Sequence, residues 1–317
     1  MIHFEPYFTN LQITSKCNLS CKQCNSNGRN HRGKELSFVE IIDVVNELYY
    51  LNCKKIQISG GEPLLREDVF EIATYISSLG IETQILSNGF LIDEEVVAKL
   101  KKAGVSCVGI SIDGLAETHN NLRSNPEAFE KAINALKLLV ENDIKTNVLT
   151  TVCNLPLNEF DSMYAKLRDI KVNNWIIQTS ACVGRMKQFN EFALESKDLL
   201  VLKEFIPKNQ NINGLNVVTG DTIGYYSEIE SKTKNGKSFS CCYAGIFQMG
   251  ILSDGNVVGC LAMPHTKKYF EGNIREKSLS NIWFDKNSFC YNRKITQSIN
   301  KSCSKKYKYG SVCDAGL

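Results

Sequence analysis

From residue 8 to about residue 207, short apolar, β-branched runs alternate with amphipathic helical stretches, and this alternation leaves few folds open to the chain. FTNLQIT at 8, KIQIS at 55, ETQILS at 82, CVGISID at 107, KTNVLTTV at 145 and WIIQTS at 175 predict six strands. They read as apolar on both faces, as strands covered by helices do, and each parallel return needs a crossover such as the helical stretches provide. Eight units would need more chain than this segment holds. The expectation is an α/β protein with a partial (β/α)6 TIM-like barrel over 1–207, its chemistry at the carboxyl ends of the strands.

Helix boundaries are legible. Ser37 and Glu40 form a Ser-x-x-Glu capping box ahead of Ile41, Val44, Val45 and Leu48. Asn125 before Pro126 predicts another helix start, and Gly80 and Gly104 mark helix ends. After about residue 208 no clear helical period remains, and 208–317 reads as a small cysteine-rich domain packed on the barrel. Within it, FQMGILSDGNVVGC predicts a hairpin turning at Asp254-Gly255.

Charge is nearly balanced, 37 Lys and Arg against 34 Asp and Glu, with no basic stripe, so nucleic acid is not implied as a partner. No signal sequence or membrane span is recognisable, and a cytoplasmic chain is expected. Thirteen cysteines in such a chain point to metal or redox chemistry rather than disulfides, because cytosolic thiols are kept reduced.

SKCNLSCKQC, following the first strand, carries Cys17, Cys21 and Cys24 at the spacing C-x3-C-x2-C, with no nearby His or fourth Cys to complete a tetrahedral zinc set. Three thiolates suit a [4Fe-4S] cluster that leaves one iron open. At the end of strand two lies SGGEP: Gly60 and Gly61 allow close backbone approach, and Glu62, before Pro63, offers an acceptor for an ammonium group. Ser87 and Asn88 close strand three, Ser111 and Asp113 close strand four, and Arg123 follows at a turn. Ser87, Asn88 and Asp113 also suit turn chemistry and helix capping.

These motifs, in order over residues 8 to about 180, resemble the radical S-adenosylmethionine (radical SAM) superfamily. The resemblance implies that Cys17, Cys21 and Cys24 hold the cluster whose open iron takes the amino and carboxylate groups of SAM, and that an electron from it releases a 5′-deoxyadenosyl radical. It further implies Glu62 at the SAM amino group, Ser111 at its ribose or carboxylate and Arg123 at its carboxylate, with Gly184 and Arg185 beyond strand six where SAM or substrate contacts are expected. The family's usual aromatic residue before the third cysteine is Gln23 here, which leaves the packing of adenine open.

Cys242, Gly255 and Cys260 have the spacing C-x12-G-x4-C, and Cys303 and Cys313 follow in the tail. This resembles the SPASM/twitch extension, which carries auxiliary iron–sulfur clusters. The fuller seven-cysteine pattern is not met, since Lys306 and Leu317 stand where cysteines would be. Four thiols suffice for one auxiliary [4Fe-4S] cluster; zinc would accept them equally well, and Cys241 competes with Cys242. Cys153 and Cys182, after strands five and six, either donate a hydrogen atom to a substrate radical or fill the core, and Asp221 is a candidate substrate contact. The four histidines show no metal spacing.

The SPASM-type tail resembles those of members that modify ribosomally made peptides, so a leader-bearing peptide is the expected substrate and flavodoxin or ferredoxin the expected electron donor. No leader-binding module is recognisable ahead of strand one, which would leave a leader to a separate partner or to the barrel. A small-molecule dehydrogenase or rearrangement enzyme acting on a sugar or aminocyclitol, and a non-catalytic zinc-binding scaffold, are the alternatives.

Overall fold

The computed structural model of the 317-residue chain describes residues 4–25, 33–153, 157–180, 184–189, 194, 196–210, 212, 214–220 and 242–293. In chain order the elements are β1 (Phe8–Thr14), α1 (Phe38–Tyr50), β2 (Lys55–Gly60), α2 (Val69–Ser78), β3 (Glu82–Ser87), α3 (Glu94–Lys102), β4 (Cys107–Ser111), α4 (Ala116–Arg123) and α5 (Ala128–Glu141). There follow β5 (Lys145–Val152), α6 (Phe160–Ile170), β6 (Asn174–Thr179), α7 (Ser196–Lys208), β7 (Asn216–Thr219), β8 (Gln248–Ile251), β9 (Asn256–Val258), β10 (Gly272–Asn273) and α8 (Leu279–Phe284). Parallel strands joined by helices make this the α/β class of a partial (β/α)6 barrel. Among the described residues no helix is long and apolar enough to cross a membrane.

The chain divides into two compact units: Met1–Cys17, Gly28–Gln84 and Cys241–Leu317 form one, Asn18–Asn27 and Ile85–Ser240 the other. In the first, β1 pairs in parallel with β2 on one side and β8 on the other, so a strand of the C-terminal region extends the N-terminal sheet. β8 and β9 form the expected antiparallel hairpin. Gly255 takes φ +87, a left-handed value that suits glycine, and Asn256 N–H donates to Asp254 Oδ1 at 3.1 Å.

Helix α1 begins where its sequence asks it to. Glu40 N–H donates to Ser37 Oγ at 3.3 Å and Ser37 N–H to Glu40 Oε2 at 2.8 Å, so two free amides of the helix start are satisfied reciprocally. Ile41, Val44, Val45 and Leu48 are all buried, each contributing roughly 1.5–3 kcal/mol relative to exposure.

In the second unit β4, β5, β6 and β7 pair in parallel in that order. Trp175 of β6 is fully buried against Phe160 and Phe205 of the covering helices, Tyr164 packs on Phe205 behind it, and the indole N–H reaches Thr150 Oγ1 at 2.8 Å. A large aromatic buried with its polar atom satisfied fixes the helices on this face.

Three expectations are corrected. A seventh parallel strand, β7, follows α7 in a region read as patternless. Arg123 is the last residue of helix α4 rather than part of a turn. Asn125-Pro126 lies in the bend between α4 and α5, where Ser124 is left-handed at φ +53; Asn125 Oδ1 accepts from Glu127 N–H at 2.8 Å, and α5 starts only at Ala128.

Candidate active site

In the first unit, the chain leaving β1 toward Cys17 is held from two directions. The Glu35 carboxylate accepts from Ser15 N–H at 2.6 Å, Ser15 Oγ at 2.8 Å and Thr14 Oγ1 at 3.0 Å. Burial works against the charge on Glu35, but these hydrogen bonds outweigh it and hold the carboxyl below its usual range. From the other side the end of β2 presses in: Gly61 N–H donates to Thr14 O and Glu62 N–H to Lys16 O, both at 2.8 Å.

That contact explains the glycine pair. A Cβ on Gly60 would lie 2.8 Å from Thr14 O, and one on Gly61 only 2.2 Å from Lys16 O. Only glycine lets the two backbones meet there. Glu62 is fully buried and starts the 3-10 turn Pro63–Leu65, its Oε1 accepting from Leu64 N–H at 3.2 Å. Beside it, Ser59 Oγ is buried without a hydrogen-bond partner among the described residues.

In the second unit, the loop bearing Cys21 and Cys24 is anchored along its length. Asn88 Nδ2–H donates to Asn18 Oδ1 at 2.7 Å while Asn88 Oδ1 accepts from Phe90 N–H at 2.9 Å. Lys22 N–H donates to Leu122 O at 2.8 Å, and Lys22 Nζ to Asn121 Oδ1 at 2.6 Å. From beyond β6, Arg185 N–H donates to Cys24 O at 2.9 Å and its Nη1 to Cys21 O at 2.7 Å. Gly184, at φ +61, lies so close that a Cβ would be 2.1 Å from Asn25 O.

Asp113 organises the rest. Its Oδ2 accepts from Gln23 Nε2 at 2.7 Å, Arg123 Nε at 2.7 Å and Arg123 Nη2 at 2.6 Å, and its Oδ1 from Thr151 N–H at 3.0 Å. Arg123 Nη1 then points to Cys21 Sγ at 3.6 Å. Burial disfavours charge on Arg123, but Asp113 and Cys21 hold its pKa above the ordinary value. Burial likewise raises the Cys21 thiol, against the lowering influence of Arg123. His119, buried against the same group, is pushed down to about 4, first by desolvation and then by Arg123. It is neutral, and Nδ1 accepts from Asp113 N–H at 3.1 Å.

The sequence-expected residues therefore divide by what they touch. Gln23, Asn88, Asp113, Arg123 and Arg185 all act on the cysteine loop or on one another. Ser87 Oγ accepts from Gly89 N–H at 3.0 Å in the turn after β3, and Ser111 is half-buried at the end of β4. Cys153, expected near the mouth, is 3% exposed and packs with Leu122 and Met186. Desolvation drives its thiol up to about 12, which keeps it protonated. Cys182, Asp221, Cys241, Cys303 and Cys313 lie outside the described residues. The parts sequence reasoning missed are Glu35, His119 and the loop-binding role of Arg185.

Cys17, Cys21, Cys24, Cys242 and Cys260 are in no disulfide. Among the described residues no three His, Cys, Asp or Glu side chains converge as a single metal ion would require. A cubane cluster gives each thiolate its own iron, so its ligands need not meet at a point. At the C-terminal site, Cys242 and Cys260 are half-buried on the arms flanking the β8–β9 hairpin, and Ala262 N–H donates to Cys260 Sγ at 3.4 Å.

Residues 11–167 match the radical SAM superfamily, and residues 241–313 match an iron–sulfur cluster-binding domain, SPASM. A probable GTP 3′,8-cyclase of Methanococcus maripaludis is 30% identical over 285 residues, 84% of this chain and 93% of that protein. The chain belongs to the radical SAM superfamily. The Fe-coproporphyrin III synthase of Methanosarcina barkeri is 28% identical to this radical SAM protein over 292 residues, 86% of the chain and 72% of that relative. In fold it is similar to SuiB of Streptococcus suis bound to its precursor peptide SuiA, with a TM-score of 0.76 at 18% identity, over 97% of this chain and 69% of that one.

As a radical SAM protein with a SPASM domain, it uses SAM and [4Fe-4S] clusters. The residues present fit them: three cysteines of the motif outside any disulfide, a guanidinium against one of them, and a buried Ser59 hydroxyl with no hydrogen-bond partner among the described residues beside the Gly-Gly contact. Bound SAM, once reduced, supplies a 5′-deoxyadenosyl radical able to take hydrogen from unactivated carbon. The protein's own part is to fix the cysteine loop from the end of β3, from α4 and from the segment after β6.

Proposed function

We propose that this radical SAM enzyme removes a hydrogen atom from a peptide substrate, on the way to a crosslink, an epimerisation or an oxidation. The observation that carries this reading is the match in fold, over nearly the whole chain, to SuiB bound to its precursor peptide. In it, Cys17, Cys21 and Cys24 ligate the SAM cluster, and Glu62, Ser111 and Arg123 lie toward SAM. Cys242, Cys260, Cys303 and Cys313 hold one auxiliary [4Fe-4S] cluster in the C-terminal cysteine-rich region. An electron from a flavodoxin- or ferredoxin-type donor cleaves SAM to methionine and the adenosyl radical. The hydrogen atom passes from a substrate carbon to that radical, giving 5′-deoxyadenosine and a substrate radical.

A second reading has its own support, because the relatives at 28–30% identity across most of the chain are named for a porphyrin and a nucleotide. Deuterium transfer separates the two. With the anaerobically reconstituted full chain, deuterated candidate precursor peptides should give deuterated 5′-deoxyadenosine. Label arriving instead from a deuterated porphyrin or nucleotide, with none from peptide, overturns the peptide reading and leaves the radical chemistry standing.

A further inference from the structure

We propose that Arg123 is a positioning residue for the cluster, locked by Asp113 so that its Nη1–H donates to Cys21 Sγ and raises the cluster's reduction potential. The proposal rests on the ligand set Cys17, Cys21 and Cys24.

The geometry leaves the guanidinium little choice. Nε and Nη2 are both fixed on Asp113 Oδ2, at 2.7 and 2.6 Å, which directs Nη1 to Cys21 Sγ at 3.6 Å. Asp113 cannot swing away, because Gln23 Nε2 at 2.7 Å and Thr151 N–H at 3.0 Å hold it from two more sides. The Asp113 side chain is fully buried and that of Arg123 is only 12% exposed, so solvent screens the pair weakly. Lys22 N–H, donating to Leu122 O, and Cys21 O, accepting from Arg185 Nη1, belong to one peptide group, so the backbone immediately after Cys21 is held from two directions.

Reducing an iron–sulfur cluster adds an electron whose charge spreads onto the thiolate sulfurs. A fixed positive donor on one sulfur favours the reduced form, and hydrogen bonds to cluster sulfurs are among the determinants of potential. Arg123 meets both conditions through Cys21. This differs from a grip on the SAM carboxylate, because the influence is present before SAM binds.

The test is an EPR-monitored redox titration of the reconstituted full chain without SAM, comparing wild type with Arg123→Gln and Arg123→Lys, alongside iron content and near-UV circular dichroism. A hydrogen bond to a charged group is worth enough that Arg123→Gln should lower the reduced-to-oxidised ratio about tenfold at the wild-type midpoint. For a one-electron couple that is a shift of about 59 mV to more negative potential. Arg123→Lys, which keeps the charge but not the fork, should shift in the same direction by less, and it decides the matter should Arg123→Gln fail to fold. An unchanged midpoint in a loaded variant overturns the proposal, most plainly if SAM affinity falls, since the guanidinium would then serve SAM alone. Loss of iron from a folded variant also overturns it, because Arg123 would then hold the cluster rather than tune it. A wild-type chain that loads no cluster on these cysteines removes the ligand set and the proposal together.

Discussion

Replacing Gly61 by alanine tests how the Gly-Gly pair works. The added Cβ would lie 2.2 Å from Lys16 O, 2.6 Å from Lys16 C and 2.7 Å from Ser15 O, all backbone atoms that no rotamer change can move. Either the end of β2 or the run into Cys17 has to shift, at the roughly 1–3 kcal/mol typical of overpacking. The shift also strains two hydrogen bonds, Gly61 N–H to Thr14 O and Glu62 N–H to Lys16 O, each worth about 0.5–1.5 kcal/mol. Together the change should destabilise the chain by roughly 2–6 kcal/mol, a large share of the ~5–15 kcal/mol that ordinarily separates native from unfolded protein. Denaturant unfolding of the iron-free chain measures it, with Gly80→Ala as comparison: Gly80 is left-handed at φ +74 but has open space around it, so alanine there meets only backbone strain of about 1–2 kcal/mol. If Gly61→Ala unfolds within about 0.5 kcal/mol of wild type, the close approach is not what requires glycine.

Three further outcomes are expected. His119 titrates near 4 when folded against an ordinary 6.5, so the unfolded chain takes up the proton first as pH falls; stability should drop by about 3 kcal/mol between pH 6.5 and 4, and His119→Gln should flatten that window in pH-dependent unfolding. A slope that survives the substitution would assign the acid sensitivity elsewhere. Arg185→Met removes the bond to Cys21 O but leaves the backbone bond to Cys24 O; the reconstituted protein should lose iron to a chelator faster than wild type with unfolding changed by about 1–2 kcal/mol, and equal loss rates would count against the anchor. Cys260→Ala should lower iron from about eight to about four per chain with the SAM-dependent cluster retained, and full iron in that variant would remove Cys260 from the auxiliary ligands.

What could be read from sequence divides along local and distant determinants. The strands β1 to β6 were legible because each is a short run with a fixed apolar pattern, and α1 because its capping box and its buried stripe agree. Helix α4 was not: AETHNNLR offers one large aliphatic residue, Leu122, and its buried face is completed by Thr118 and His119, which no hydrophobic count would choose. Strand β7 has four residues, too few for an alternation to show. Asn125-Pro126 carried a true helix-start signal, but the left-handed Ser124 needed to leave α4 consumes those residues in a bend.

The site shows the same division more sharply. Its motifs stand at strand ends, and each is a local string that sequence displays. Their partners are not local: Gln23 meets Asp113 across 90 residues, Asp113 meets Thr151 across 38, and Arg185 meets Cys21 across 164. Chemistry restricts such pairings even so. A buried aspartate must find donors, a buried arginine must find acceptors, and a three-cysteine loop with little apolar content must be tied down by polar groups from elsewhere. An Asp at the end of β4 with an Arg ten residues later already satisfies the first two demands. The third is met in part by Arg123, whose remaining N–H reaches Cys21 Sγ, so the group that neutralises the buried carboxylate also touches the cysteine loop.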